Sequence, residues 1–216
     1  MKDLIIRNET ADDYAAVERM TRDAFWNLYI PGGQEHYLAH ILRGHEDFIP
    51  ELDLVAELNG QIVGNVMYTR CTLVNEDKKE RSVLTFGPLC VHPDHQRKGI
   101  GKALLEHSFA RAVEMGFDAI VIFGVPGNYV SRGFKCCQKF NICLDGDVFP
   151  TAMMVKELIP GVFDGSRWYY HGSSAYEFDD ADVLEFDKQF PAKEEKYQPS
   201  QDEFYIYSHS TVTADS

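Results

Sequence analysis

The stretch from Phe86 to Met115 constrains the fold of this chain more than any other, because a strand, a basic turn and a helix follow one another within it. Residues 84–91 have strand composition and end at a Pro-Asp turn. From residue 104 onward, apolar side chains recur at helical spacing. The chain therefore contains a strand–turn–helix unit with positive charge at the start of its helix.

The turn of this unit is suited to holding an anion. The first N–H groups of a helix lack intrahelical partners and lie at the positive end of the helix dipole. Gly99 and Gly101 remove side chains where an anion would approach the backbone. The basic side chains around this opening are Arg97, Lys98 and Lys102. A phosphate or pyrophosphate group is the expected ligand.

Two well-known phosphate-binding motifs do not fit this turn. A P-loop requires Ser or Thr directly after its Gly-Lys pair, and Ala103 stands there. A dinucleotide-binding fingerprint requires a third small residue three positions after Gly101, and Leu104 stands there. The anion site therefore belongs to neither class.

The hexapeptide at residues 96–101, Gln-Arg-Lys-Gly-Ile-Gly, resembles the acyl-CoA loop of the GNAT superfamily of N-acetyltransferases, whose pattern is Gln/Arg-x-x-Gly-x-Gly after a strand. A second segment, Tyr129-x-x-x-Gly133-Phe134, matches the Tyr-x-x-x-Gly-Phe by which many of these enzymes close the acyl-CoA site. The resemblance covers roughly residues 3–157. It implies the α/β GNAT fold, in which a mixed, mostly antiparallel central sheet is flanked by helices.

The remaining patterns agree with this fold. Asn59-Gly60 between two strand-like runs is the favoured dipeptide of a type I′ hairpin. The predicted strands are 4–6, 53–58, 61–73, 82–91 and 119–123, and the predicted helices before the central one are 14–28 and 35–43.

The resemblance also implies roles for individual residues. The strand residues 89–91 would bind the pantetheine, residues 96–102 the pyrophosphate, and Asn128 a pantetheine or nucleotide group. Tyr129 would protonate the CoA thiolate as it leaves. The implied cofactor-binding set is Leu89, Cys90, Val91, Gln96, Arg97, Lys98, Gly99, Ile100, Gly101, Lys102, Asn128, Tyr129 and Phe134.

The implied reaction is direct transfer of an acetyl group from acetyl-CoA to a primary amine of a small molecule or peptide. Because alkyl amines are protonated at neutral pH (pKa about 10.4), a base must remove a proton. Glu57 is the candidate base, and a water chain is the alternative. A covalent route through Cys90 is less favoured, since a cysteine also suits a buried strand. A non-catalytic acyl-CoA-binding or regulatory module, or a protein binding another phosphate-bearing ligand, stays open as an alternative.

Composition narrows the choice of partners and location. The net charge of −13 argues against non-specific nucleic-acid binding and is compatible with a cationic acceptor. No apolar run is long enough to span a membrane. The five cysteines form no CxxC pair, so free thiols and a cytoplasmic location are expected. The histidine pairs 36/40 and 92/95 lack further ligands, so no metal is expected. A homodimer is common among such enzymes, but no sequence feature demands one.

Residues 158–216 extend beyond the predicted acetyltransferase domain, residues 1–157, and are rich in acidic residues. Aromatic clusters at 168–170 and 204–207 and a helical pattern at 179–190 predict that this extension packs on the core. We expect it to shape the acceptor pocket with aromatic and acidic groups. Ser208 to Ser216 are expected to be disordered.

Overall fold

A mixed sheet is the framework of the protein, and the computed structural model describes residues 3–213 of the chain. The strands found within these residues are β1 (Leu4–Asn8), β2 (Leu54–Leu58), β3 (Gln61–Asn75), β4 (Glu80–Val91), β5 (Ala119–Phe123), β6 (Lys135–Cys136), β7 (Ile142–Cys143), β8 (Met153–Glu157) and β9 (Trp168–His171). The helices are α1 (Tyr14–Phe25), α2 (Glu35–Leu42), α3 (Ile100–Glu114), α4 (Pro126–Tyr129), α5 (Asp180–Asp187) and α6 (Pro199–His209). Across the residues described, none of these helices combines the length and the apolar character that crossing a membrane would need.

The strand order is β1-β2-β3-β4-β5-β8-β6, and β9 pairs with both β3 and β7. Within residues 3–213, neighbouring strands are parallel only between β4 and β5 and between β7 and β9. The predicted fold class, a mixed and mostly antiparallel sheet flanked by helices, is therefore confirmed.

The turn between β2 and β3 confirms the predicted hairpin. Asn59 and Gly60 have φ angles of +52° and +79°, and a type I′ turn requires positive values at both central residues. Leu58 pairs with Gln61 across the turn. Because a two-residue turn sets the register of its strands, this dipeptide aligns β2 on β3.

Helices cover both faces of the sheet. Because alternate residues of a strand point to opposite faces, neighbouring side chains of β3 contact different helices. Tyr68 is fully buried in the cluster that contains Leu104, and its hydroxyl hydrogen-bonds to that of Ser108 in α3 at 2.7 Å. The neighbouring Met67 packs on the other face, against Leu42 of α2. The α3 helix and the α1–α2 pair thus lie on opposite sides of the sheet.

The extension after residue 157 is joined to the central sheet and to α1. Strand β9 pairs with residues 72–75 of β3. The Arg22 guanidinium donates to both carboxylate oxygens of Asp187 in α5, with 2.9 Å between Nη2 and Oδ2. Trp26 Nε1 donates to the carbonyl oxygen of Glu194 at 3.0 Å. These contacts place α5 and the segment after it against α1.

Disorder is predicted for residues 208–216, and the structure describes residues 208–213 of this segment. Helix α6 continues to His209. Beyond it, Thr211 bridges to Pro150, and the Val212 N–H donates to the carbonyl oxygen of Phe149 at 2.8 Å. The composition of this segment gives no sign of these backbone contacts. Residues 214–216 lie outside the described part of the chain.

A buried charge cluster joins the end of β1 to α1 and the start of β2. Arg43 donates to both carboxylate oxygens of Glu9 at 2.8 Å and to Glu18 at 2.7 Å. Asp53 is 5% exposed, lies beside Glu9 and accepts a hydrogen bond from Asn65 Nδ2 at 3.1 Å. Burial, and then the neighbouring Glu9, raise the pKa of Asp53 far above its usual 3.8. Its carboxyl group is therefore protonated in the folded protein near neutral pH.

We expect Asp53→Asn to raise the free energy of unfolding more at pH 8 than at pH 5, relative to wild type. The unfolded chain loses the Asp53 proton above pH 3.8 while the folded protein keeps it, so rising pH favours unfolding. Asparagine has nearly the same shape as a protonated aspartic acid and can also donate and accept hydrogen bonds, but it cannot ionise. The advantage of the variant should grow by up to about 1.4 kcal/mol per pH unit, measured by urea unfolding at both pH values. An equal difference at the two pH values would contradict the raised pKa.

Candidate active site

A cleft opens where β4 and β5 separate. Within the described residues these parallel strands pair only at Leu84 and Ile120. Residues 86–91 of β4 continue without a partner on β5, while β5 pairs with β8 along its other edge. The edge of β4 consequently borders a cavity of about 810 Å³.

A β-bulge in β4 lies at this cavity. Leu89 pairs with Val66 and Phe86 pairs with Tyr68, so β4 holds one more residue than β3 between these two pairs. Bulges redirect the strand and end regular pairing, and the bulged Gly87-Pro88 lines the cavity with residues 89–91. Backbone groups of β4 are therefore exposed to a ligand at this place.

The basic turn closes one side of the cavity. Gly99, with φ of +87°, is the N-cap of α3, and this left-handed conformation favours glycine. The Gln96 side chain donates to the carbonyl oxygen of Val91 at 3.2 Å, which holds the turn against the end of β4. The turn residues that line the cavity are Gln96, Arg97, Gly99, Ile100, Gly101 and Lys102. The amino end of α3 therefore faces the cavity with two cationic side chains beside it.

Tyr129 lies at the end of α4, on the opposite wall. Its ring packs between Phe86 and Phe134, with centroid distances of 5.7 and 5.8 Å. A Cβ atom on Gly124 would lie 2.8 Å from the Tyr129 ring, so only glycine allows this approach. Burial, and then the neighbouring Tyr29, raise the pKa of the Tyr129 phenol. A phenol in this setting stays protonated at neutral pH and can serve as a proton donor.

The remaining wall is largely aromatic and comes from distant parts of the chain. Tyr29 stacks on Phe204 of α6 with a centroid distance of 4.6 Å, and Phe25 lies 5.8 Å from Tyr29. The other residues of this wall include Leu28, Glu35 and Leu38. The sequence predicts none of these as site residues, although it predicts that aromatic groups of the extension shape a pocket.

The model of the Acetyltransferase (GNAT) family matches residues 18–135, just over half of the chain. The chain belongs to the GNAT acetyltransferase family. The matched segment contains the basic turn, the bulged β4 edge and Tyr129, all of which line the cavity.

Individual relatives agree with this assignment. Over 89 residues, 41% of this chain, the sequence is 32% identical to "Uncharacterized N-acetyltransferase YjhQ" of Escherichia coli (strain K12), and the match spans about half (48%) of that protein's length. The GNAT family N-acetyltransferase YhbS from Escherichia coli, solved in complex with CoA, has a TM-score of 0.69 at 20% identity over 82% of this chain and 93% of that chain. A GNAT family acetyltransferase from Brucella melitensis, solved with acetyl-CoA, has a TM-score of 0.64 at 22% identity over 82% and 100%. These two structures confirm the predicted GNAT fold.

Glu57 does not reach the cavity of this GNAT protein. It lies on β2, separated from the β4–β5 cleft by β3 and β4, and its carboxylate accepts a hydrogen bond from Arg7 at 3.0 Å. A carboxylate on a hairpin strand can be recognised from the sequence, but the strands that border the cleft cannot. Glu57 is therefore not among the residues that line this cavity.

Three residues of the implied cofactor-binding set are placed differently from the others. Lys98 does not line the cavity and donates to the carbonyl oxygen of Asp94 at 2.7 Å. Phe134 is 1% exposed, does not line the cavity and packs edge-on against the Tyr129 ring. Cys90 is at the cavity wall, but its thiol lies 3.3 Å from the Thr21 hydroxyl and burial raises its pKa to about 12. Because the thiolate is the nucleophilic form, this environment disfavours an acyl-cysteine route.

Glu35 is the one acidic residue on the cavity wall within residues 3–213. It stands at the start of α2, half-buried, and its carboxylate accepts a hydrogen bond from the Gln34 N–H at 3.1 Å. Burial raises its pKa above the usual 4.5. The sequence offered no signal for this residue, because an acid in the first turn of a helix is ordinary.

Proposed function

We propose that the protein transfers an acetyl group from acetyl-CoA directly to the primary amine of a small molecule or peptide. The observation that carries this proposal is the cleft between β4 and β5, which joins an exposed strand edge, the amino end of α3 and the Tyr129 hydroxyl in one cavity. The CoA complex of YhbS and the acetyl-CoA complex of the Brucella melitensis protein support the choice of cofactor.

The cavity supplies suitable partners for each part of acetyl-CoA. The pyrophosphate would lie at the start of α3, where free N–H groups, the helix dipole, Arg97 and Lys102 favour negative charge. The pantetheine amides would hydrogen-bond to the unpaired edge of residues 87–91 in the manner of an added strand. The thioester would then lie near the bulge and Tyr129.

The reaction needs one bond formed, one bond broken and two proton movements. The neutral amine nitrogen attacks the thioester carbonyl carbon, and the C–S bond breaks as the amide forms. The sulfur leaves as a thiolate and receives the Tyr129 hydroxyl proton, while the amine proton passes to a base. Positioned acids and bases contribute about 100-fold to 10,000-fold each.

Calorimetric titration with acetyl-CoA, alongside ATP and NAD, tests the cofactor, and release of free thiol in the presence of an amine panel tests transfer. We expect micromolar binding of acetyl-CoA alone and thiol release that depends on the amine. Absence of acetyl-CoA binding by the folded protein would refute the proposal. Binding without turnover on any amine would favour a non-catalytic acyl-CoA-binding module.

We expect Gly124→Ala to lower kcat about 10-fold without unfolding the protein, because the added methyl group would push the Tyr129 ring out of place. The φ angle of Gly124 is one that alanine can adopt, so the backbone is not strained. Gly44→Ala is the matched control, since its Cβ would make only an ordinary contact of 3.8 Å. Thiol release and thermal unfolding measure both effects. Equal kcat values for the two variants would show that turnover does not depend on the position of the Tyr129 ring.

We propose a cytoplasmic location as well. All five cysteines are free, and four of them are buried. Free thiols persist in a reducing compartment.

A further inference from the structure

The charged residues on the cavity wall fall into two groups. Arg97, Lys102 and Arg132 come from the turn before α3, from α3 itself and from the segment after α4. Glu35 comes from α2 and is the one acid that the described chain places on this wall, in a protein with a net charge of −13. The cavity therefore has a cationic part suited to phosphates and a single anionic group elsewhere.

Glu35 has no cationic partner in the part of the chain that the structure describes. No Lys, Arg or His side chain in residues 3–213 forms an ion pair with it, and its one hydrogen bond comes from the Gln34 backbone. Its titratable neighbours are the Tyr29 phenol and the Cys90 thiol, which are neutral at pH 7; burial raises the pKa values of both groups, and the charge of Glu35 adds to this effect. A carboxylate in an apolar site without a counter-ion is costly. A ligand bearing a positive charge would provide the missing partner.

The surroundings of Glu35 are apolar and aromatic. The rings of Phe25, Tyr29 and Phe204 form a continuous series, with centroid distances of 5.8 and 4.6 Å between neighbours. Leu28 and Leu38 complete this wall. Binding of an aromatic body to this surface is favourable, because it buries apolar area and allows ring–ring contacts.

We propose that Glu35 binds the ammonium group of the acceptor and takes its proton, and that this acceptor is an arylalkylamine, a single primary amine carried on an aromatic body. The inference rests on the acetyl transfer proposed above and names both its base and its substrate class. The proton moves from the ammonium nitrogen to a Glu35 carboxylate oxygen before the nitrogen attacks the thioester. As the C–S bond breaks, the Tyr129 proton goes to sulfur, and the second nitrogen proton leaves as the amide forms and restores the Tyr129 phenol, so charge and atoms balance.

Other amines fit the same wall less well. A polyamine would bring further cations into a wall with one acid, leaving them without partners among Phe25, Leu28 and Phe204. An α-amino acid would place its own carboxylate beside Glu35, where like charges repel. Arylalkylamines avoid both costs.

The test compares phenylethylamine, spermidine and phenylalanine as acceptors in the thiol-release assay with acetyl-CoA. We expect kcat/KM for phenylethylamine to exceed that for the other two at least about 10-fold.

The variant Glu35→Gln tests the role of the carboxylate. Glutamine has the shape of glutamate and can still accept the hydrogen bond from the Gln34 N–H, so the variant should fold. It should lower kcat/KM for phenylethylamine by roughly 10-fold to 100-fold, with acetyl-CoA affinity unchanged within about twofold. Glu203→Gln, at an exposed position next to Phe204 on α6, is the charge-matched control and should behave as wild type.

Phe204→Ala tests the aromatic part of the proposal. It should raise KM for phenylethylamine about 10-fold with a smaller change in kcat, because ring contacts are made equally in the ground and transition states. Tyr205→Ala, on the exposed side of the same helix, is the control for helix stability. A merely structural role for Phe204 would instead lower the unfolding temperature and leave KM unchanged.

The outcomes separate this inference from the proposed function. If wild type acetylates amines but Glu35→Gln matches it, or if spermidine is the best acceptor, the inference is overturned and acetyl transfer stands. If no amine releases thiol, acetyl transfer fails, and calorimetric titration of the CoA-loaded protein with phenylethylamine still tests binding. Equal affinity in wild type and Glu35→Gln would then overturn the role of Glu35 in binding.

Discussion

We expect Tyr129→Phe to lower kcat by roughly 100-fold to 1,000-fold, while the Kd of acetyl-CoA stays within about twofold. Burial raises the pKa of the Tyr129 phenol, so the hydroxyl keeps its proton until the thiolate forms. Phenylalanine fills the same space between Phe86 and Phe134, so the cavity wall stays intact. The loss should therefore fall on kcat and kcat/KM together, as expected for a group that acts in the transition state.

Thiol-release kinetics and calorimetric titration of the same protein samples measure this effect. Tyr205→Phe is the matched control, because Tyr205 is 62% exposed on α6 and should tolerate the change. An unchanged kcat in Tyr129→Phe would mean that another donor, such as water, protonates the thiolate. Loss of acetyl-CoA binding together with kcat would make Tyr129 a binding residue rather than an acid.

The parts of the fold that the sequence predicted well are those with local chemical causes. Asn59-Gly60 defines its turn because both residues tolerate positive φ angles. Gly99 marks the start of α3 for the same reason, and the basic side chains beside it predict an anion site. These features depend on a few neighbouring residues, so they can be recognised without knowledge of the tertiary structure.

Which of two glutamates borders the cavity could not be predicted in this way. Glu57 and Glu35 both lie in regular elements of ordinary composition. What separates them is that β4 and β5 diverge after Leu84, so the cleft borders β4 and the α1–α2 region rather than β2. That divergence depends on pairing between distant strands, which neither glutamate's local sequence encodes.

The contribution of Phe204 illustrates the same limit. Its aromatic neighbourhood predicted packing, but its contact with Tyr29 joins residues that are far apart in the chain. The position of α6 depends on bonds such as Gln201 Nε2 to the carbonyl oxygen of Asn27 at 3.0 Å. A short polar contact of this kind leaves no periodic pattern in the sequence. The aromatic wall of the cavity is therefore recognised only in the folded chain.

The second large effect concerns the cationic turn. We expect Arg97→Glu combined with Lys102→Glu to raise the Kd of acetyl-CoA at least about 100-fold at low ionic strength. Both side chains are exposed at the cavity mouth, and neither belongs to the core, so the fold should be retained. Each reversal replaces an attraction to the pyrophosphate with a repulsion, which is worth about 1 kcal/mol or more per charge at contact distance even in water.

Calorimetric titration at low and high salt measures this effect. The double variant Lys79→Glu, Lys139→Glu changes the net charge equally at exposed positions away from the cavity and serves as the control. We expect the control to lose much less affinity, and the difference between the two variants to shrink as salt screens the charges. If both double variants lose the same affinity, the effect is one of overall charge, and the pyrophosphate does not lie at the amino end of α3. A selective loss would tie the anion to that turn, because the two proteins differ only in where their charges were reversed.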